Sequence, residues 1–485
     1  MSVAVTESYG VASGHPLAAD AGMDVLRAGG SAVDAVLAAA FAQWVVNGPL
    51  CGPGGDLFVL HVPGDGRAPV VYGGWSRTPL GFPVDGPVKP DGPRAAVVPG
   101  GLAGAAAASA GAGRLSWAGL FAAAIRLADG HAVTEWMARS YRSVLDKGHS
   151  SALAGFLDQS TAPSTGDIVS CSRFGKTMRA LADGGADEFY RGALAEQIAA
   201  ASTADGGYLT TDDLASIAAD VRPAIVHDLG DVTAIVTPAP SQAGIVAQLM
   251  AAVAPEMSPE SVAYAEATAP IVERELTNRC IVGVPGTAAS VATDGEGMAA
   301  VVHSLAGVQF GTGWVVGDTG IALGNRVGTS LTTRPDLSAA HPVPGGVLPH
   351  TLSAAVFRSA GRTALVATPG GDRQVQWLAQ AGQRFRRGES LEAVASGPRW
   401  FVCPEGDRFG VPGGIGSEWF LFGEPEVEWS AHSALAGYTV RRIDSVGGGV
   451  QAVERTDTGW TLASDPRSGG AARVLIRVEE ETGRV

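Results

Sequence analysis

Between Ala32 and Val46 the chain is apolar at every position except Asp34 and Gln43. Ser31 reads as the N-cap of a helix there, and Asp34 sits in its first turn, where a carboxylate complements the helix dipole. Asn47-Gly48-Pro49 stops it. The run falls short of the ~20 apolar residues of a membrane span. A helix this apolar needs a large interior, and a chain of 485 residues at 46% hydrophobic can bury one. A partner helix precedes it: Pro16 opens it, Ala18 to Leu26 continue it and Gly29-Gly30 end it.

Charged residues make up only 17% of the chain, against 67 glycines. So many small residues let backbones approach closely, as in large layered enzymes of mixed helix and strand. The net charge is −14, and no basic run is longer than Arg386-Arg387, which argues against nucleic acid as a partner. Cys51, Cys171, Cys280 and Cys403 lie far apart without a CxxC pair, so neither a zinc site nor a disulfide framework is expected. The first residues lack a basic stretch followed by a long apolar one, which reads as cytoplasmic, with no membrane partner.

Further along, the loop Gly52-Pro53-Gly54-Gly55 leads into a strand over 57–62. Helices are expected at 117–127, 135–145 and 176–181, with Thr211 capping another, and 223–237 reads as strand. The second half changes character. Short strands recur at 289–292, 299–303, 314–316, 352–357 and 363–367, with helices at 374–381 and 391–395. A hairpin turns around Asp457-Thr458-Gly459.

Several stretches resemble the gamma-glutamyltransferase family of self-cleaving N-terminal-nucleophile hydrolases. They are Gly10-Val-Ala-Ser-Gly-His-Pro, Leu26-Arg-Ala-Gly-Gly-Ser-Ala-Val-Asp-Ala, Cys51-Gly-Pro-Gly-Gly-Asp-Leu-Phe, Val98-Pro-Gly-Gly-Leu and Phe189-Tyr-Arg-Gly, followed by Gly207-Tyr-Leu-Thr-Thr-Asp-Asp-Leu, Phe310-Gly-Thr-Gly, Thr368-Pro-Gly-Gly-Asp-Arg and Ser464-Asp-Pro-Arg. They run in the family's order along nearly the whole chain. The resemblance implies an α+β fold, a four-layer αββα sandwich. It also implies a large-subunit region 1–286 and a small-subunit region 287–485 within one intertwined fold, and no cofactor. One departure is large: Thr287 follows Ser241 by only 46 positions, where the family has a much longer segment, so a helical hairpin or lid is missing.

The resemblance casts Thr287 as the nucleophile, seven residues before Asp294 as in the family. A threonine hydroxyl is weak at neutral pH, but a free α-amine on the same residue can act as its base. That amine appears only when the Gly286–Thr287 peptide bond is broken, which the family does autocatalytically. Ala288-Ala289 depart from the family's residues after the nucleophile. Ser304 falls near the family's second hydroxyl, and Gly370 and Gly371 resemble its oxyanion hole, where fixed N–H donors are worth ~3–4 kcal/mol. Thr351 and His350 match a His-Thr-Leu stretch whose Thr faces the substrate's carboxylate. His15 resembles a capping or packing residue.

Substrate recognition departs most. The family's carboxylate-binding Arg is replaced by Trp75, with Arg77 two residues on. Its ammonium-binding acid is replaced by Thr329, with Asp318 and Asp372 as substitutes. The expected function is a gamma-glutamyltransferase-like amide hydrolase or acyltransferase, passing a γ-glutamyl or related acyl group through Thr287 to water or an amine. Alternatives are a relative repurposed to another amide or C–C bond, and an unprocessed, non-catalytic relative.

Overall fold

The computed structural model describes residues 3–5, 8–85, 88–279, 286–306, 310–330, 341, 343–404 and 418–476; Cys280 lies outside them. Two seven-stranded sheets occupy the middle of the molecule. In the first, the order is Ala471–Ile476, Ser8–Ser13, Thr287–Thr293, Met298–Ser304, Asp56–Val62, Val70–Gly74 and Asp220–Pro223. In the second it is Val3–Val5, Gly459–Ser464, Gln451–Thr456, Arg362–Ala367, Ala354–Ser359, Thr233–Val236 and Ile225–Asp228. Every neighbouring pair in both sheets is antiparallel. Strands from before and after Gly286 contribute to each sheet.

Side chains alternate across a strand, and here the alternation sorts the core into layers. Ala289, Val291, Met298, Ala300, Val302, Phe58 and Leu60 point into the space between the sheets, where they meet Val356, Leu365, Ala367 and Val453. Ala288, Ala292, Ala299, Val301, Leu57 and Val59 point the other way, onto the helices of the first half. The second sheet turns Ala355, Phe357, Ala364 and Val366 to helices Gly244–Ala251, Val262–Arg279 and Arg373–Arg386. The result is the expected four-layer αββα sandwich.

The apolar helix Ala32–Val46 lies against Thr287–Thr293 and Met298–Ser304, and all its residues are buried. Ser31 and Asp34 cap each other: the Ser31 hydroxyl accepts from the Asp34 amide at 3.1 Å, and Asp34 Oδ2 accepts from the Ser31 amide at 2.9 Å. The preceding helix, Pro16–Arg27, is capped by His15, whose Nδ1 accepts from the Leu17 amide at 3.2 Å. Gln43, the one polar residue in the body of the apolar helix, is what pins it to the sheet. Its Oε1 lies 2.7 Å from His303 Nε2 and its Nε2 donates to Ser13 Oγ at 3.1 Å. Trp44 Nε1 donates to His303 Nδ1 at 3.1 Å. His303 must therefore be neutral with its proton on Nε2.

Several boundaries differ from the sequence expectation. Thr210, not Thr211, is the N-cap; its hydroxyl accepts from the Asp213 amide at 3.1 Å. The run 223–237 is two strands, because Gly230, with φ +91°, turns the chain between Ile225–Asp228 and Thr233–Val236. The helix at 117–127 is broken at Phe121 into Trp117–Leu120 and Ala122–Asp129. The helix at 176–181 is the middle of a longer one, Ser172–Tyr190, kinked at Gly185. A small sheet of Trp400–Pro404, Trp419–Gly423, Tyr438–Arg442 and Ala434–Leu435 was not foreseen.

Burial lowers His303 from the ordinary 6.5 to about 3. Between those values the unfolded chain takes up a proton that the folded chain refuses, so this contribution is complete above pH 6.5 and is lost as pH falls. The loss amounts to about 1.4 kcal/mol per pH unit per group. His303→Gln should lower the melting temperature at pH 7.5 yet flatten its decline between pH 6.5 and 4. Melting curves across that range check this; an unchanged slope would contradict it.

Candidate active site

The first sheet's pairing sets Thr287 directly opposite Ser304, and Ser304 directly opposite Asp56. The three share parity with Ala289, Val302 and Phe58, so they form a row on the face toward the second sheet, where Thr287–Thr293 begins. All are buried, Thr287 at 6% exposure and Ser304 and Asp56 at 1%. The Ser304 hydroxyl donates to the Gly286 carbonyl and accepts from the Ala306 amide at 2.7 Å. Gly286 has φ +117°, a conformation that disfavours any side chain. The Gly-rich loop before Asp56 is there for close approach: a Cβ on Gly55 would stand 2.1 Å from the Ser304 carbonyl oxygen.

Asp56 organises the groups behind this row. It accepts from the Ser76 amide at 2.8 Å and from Arg326 Nε at 2.9 Å, and His350 Nε2 stands 3.4 Å away. Burial pushes the Asp56 carboxyl up, but His350, Arg326 and the hydrogen bonds outweigh it and hold the group below its ordinary range. His350 is driven to about 3 by burial and is neutral at pH 7, so Arg326 is the working counter-charge. Neither ring nitrogen of His350 makes a hydrogen bond among the described residues, and Arg326 Nη2 likewise lacks an acceptor. His350 sits against the Trp75 ring at 4.8 Å between centroids.

Residues 350–353 carry the site across to the second sheet. The Gln242 amide donates to the His350 carbonyl at 3.1 Å, and the Ser353 amide donates to Gln374 Oε1 at 2.9 Å. Thr351 is buried between them, its carbonyl accepting from Ser353 Oγ at 3.0 Å. Gly370 and Gly371 follow strand Arg362–Ala367, with φ +138° and +61°. Their carbonyls accept from the Arg373 and Gln374 amides at 3.1 and 3.3 Å. Asp372 is next in line, buried, with Oδ1 lacking a partner among the described residues, and burial raises it to about 6.

Of the expected recognition residues, Trp75, Arg77 and Thr329 are otherwise engaged. Trp75 Nε1 donates to Asp220 Oδ2 at 3.1 Å, and Arg77 Nη1 donates to the Gly345 carbonyl at 3.2 Å. The Thr329 hydroxyl donates to the Asn325 carbonyl at 2.9 Å within its own short helix. Asp318 lies in a 3-10 turn at 317–319, between strands Val315–Val316 and Ile321–Ala322. Sequence reasoning missed Asp56, Arg326, Gln242 and Gln374. Asp56 was the only acid in its Gly-rich motif, and that was the available signal; nothing local marks Arg326 as its partner 270 residues away. Among the described residues no group of three or more His, Cys, Asp or Glu is arranged to hold a metal.

The Asp56–Arg326 pair gives a direct test. Asp56→Asn leaves a buried guanidinium without its counter-charge and should cost roughly 3–5 kcal/mol of stability. Adding Arg326→Met should restore part of it, because the orphaned charge is gone. Chemical denaturation of the single and double variants measures this; an Asp56→Asn variant within ~1 kcal/mol of wild type would show that the pair contributes little.

The gamma-glutamyltranspeptidase family model matches residues 18–275 and 261–475. The chain is 28% identical to the oxamate amidohydrolase proenzyme of Klebsiella pneumoniae, over 94% of this chain and 97% of that one. It is 29% identical to the glutathione hydrolase proenzyme of Escherichia coli, over 48% of this chain and 43% of that one. It is 31% identical to Scoloptoxin SSD14 of Scolopendra dehaani, over 51% and 44%. In these last two matches the chain spans less than half of the relative's length. Among solved structures, a cephalosporin acylase from Bacillus halodurans has the same fold, with a TM-score of 0.84 at 24% identity over 97% of this chain and 96% of that one. A family model that accounts for nearly the whole chain leaves one conclusion: the chain belongs to the gamma-glutamyltranspeptidase family.

Proposed function

We propose that the chain is an amide hydrolase or acyltransferase, activated by self-cleavage before Thr287, whose acyl group is not a γ-glutamyl zwitterion. The observation that carries this is the Ser304 hydroxyl bonded to the Gly286 carbonyl, one residue from the Thr287 hydroxyl. In the uncleaved chain Ser304 polarises that carbonyl, and Thr287 Oγ attacks it. The C–N bond to Thr287 breaks, the nitrogen takes a proton and Gly286 is held as an ester. Water hydrolyses the ester, leaving a Gly286 carboxylate and a free Thr287 amine. In turnover that amine accepts the proton of the Thr287 hydroxyl as it attacks a substrate amide. Gly370 and Gly371 donate to the developing oxyanion. The amine product leaves, and water or another amine takes the acyl group from Thr287.

The electrostatics argue for an acyl group that does not carry an α-ammonium and an α-carboxylate together. Burying either charge unpaired costs several kcal/mol, so a zwitterion needs an opposite charge for each. Trp75 and Thr329 stand at the family's two charged positions and supply none. Arg326 and Asp56 neutralise each other. The relative matched along its full length is named for oxamate, a small amide that lacks the ammonium.

Two measurements test this. Steady-state kinetics should give glutaryl or phenylacetyl anilides, or oxamate, a kcat/KM at least roughly tenfold above a γ-glutamyl anilide, about 1.4 kcal/mol of discrimination. A preference for the γ-glutamyl compound that disappears in Arg77→Ala would contradict it. Acid-quenched turnover should leave the acyl group on a peptide whose first residue is Thr287; label on any other residue would remove Thr287 as nucleophile.

A further inference from the structure

The Ser464-Asp-Pro-Arg stretch has no part in the chemistry above, yet it reaches the Gly370–Gly371 turn through two buried side chains. We propose that Trp377 is a positioning residue. On this proposal its indole, clamped between Gly370, Gly448 and the Arg399 guanidinium, holds the Gly370–Gly371 turn in its donor conformation, and Asp465 anchors the clamp. The proposal rests on the reading of Gly370 and Gly371 as the oxyanion turn.

A pair of glycines at φ +138° and +61° has no intrinsic preference for one conformation. Neither amide finds an acceptor among the described residues, so no hydrogen bond from these donors fixes the turn. Catalysis by such donors depends on their being fixed before the charge develops. The support comes from outside the turn. A Cβ on Gly370 would lie 2.3 Å from Trp377 Cζ3, and one on Gly448 would lie 2.4 Å from the same atom, so the indole touches both backbones. The Arg399 guanidinium carbon stands 5.0 Å from the ring centroid.

The anchor is equally buried. Arg399 Nη2 donates to Asp465 Oδ2 and, at 3.2 Å, to the carbonyl of Gly447, beside the glycine that touches the indole. Asp465 is fully buried, its amide donating to the Val450 carbonyl at 2.9 Å and its Oδ1 accepting from the Arg467 amide at 3.0 Å. One carboxylate thus sets both the cation behind the indole and the loop 447–450 beside it. The indole N–H has no acceptor among the described residues. An aliphatic side chain would fill the space without orphaning a donor, so the flat face of the ring is what the site uses.

The test uses the full chain with Trp377→Leu, Trp377→Phe, Arg399→Met and Asp465→Asn. Hydrogen exchange at the Arg373 and Gln374 amides, which close the turn, reads the clamp without any substrate. Exchange there should rise roughly tenfold or more in Trp377→Leu, Arg399→Met and Asp465→Asn, stay near wild type in Trp377→Phe, and be unaltered in strand Thr287–Thr293. With the acyl anilide that wild type hydrolyses best, kcat should fall roughly tenfold to a hundredfold, with KM within about threefold and Trp377→Phe largely active. Unchanged exchange in Trp377→Leu and Arg399→Met overturns the clamp. Raised exchange with unchanged kcat overturns its role in turnover. A wild type that turns over no anilide overturns the oxyanion assignment alone, and the exchange rates still decide the clamp.

Discussion

Antiparallel pairing across three strands sets Thr287 opposite Ser304 and Ser304 opposite Asp56, and every other feature of the site depends on it. A shift of one residue in either ladder would turn one of these side chains to the helical layer and carry an apolar neighbour in its place. The layers resist such a shift because each face of the central strands is committed to a different core. The helix Ala32–Val46 adds a polar lock, since Gln43 and Trp44 hold His303 from the helical side while its neighbour Ser304 faces the other way. The hydroxyl that touches the Gly286 carbonyl is therefore positioned by packing on both sides of one strand.

Charge is arranged sparingly around this row. Asp56 and Arg326 form a buried pair, and removing one partner costs far more than the pair itself contributes. That makes the pair a brace behind the site, closed to a zwitterionic ligand unless both charges are rearranged. Trp75 reinforces the point. Its indole is held by Asp220 and lies tilted against the His350 ring. On the proposed reading, a site that offers a zwitterion no free pair of charges is better suited to a neutral or singly charged acyl group.

Much of the fold was legible because it rests on local signals. Pro16, the Ser31–Asp34 pair and Asn47-Gly48-Pro49 mark the first two helices, and β-rich runs mark the strands around Thr287. The turn between Thr456 and Gly459 was visible in Asp457-Thr458. Errors came where tertiary contacts decide, as in the small sheet around Trp400–Pro404 and the kinked helix Ser172–Tyr190. The site divides in the same way. Thr287, Ser304, Gly370 and Gly371 were reached through motif resemblance, but Asp56, Arg326 and Gln374 act through partners far away in sequence. Arg77 and Thr329 looked available for a ligand only because their hydrogen bonds to Gly345 and Asn325 cannot be read from one chain of letters.

If this row of residues breaks the chain at Gly286–Thr287, intact-mass spectrometry of the freshly purified protein will read the break. Wild type should resolve into two associated fragments, the second beginning at Thr287, while Thr287→Ala remains a single chain. A wild-type protein that keeps the mass of all 485 residues after prolonged incubation would contradict the account.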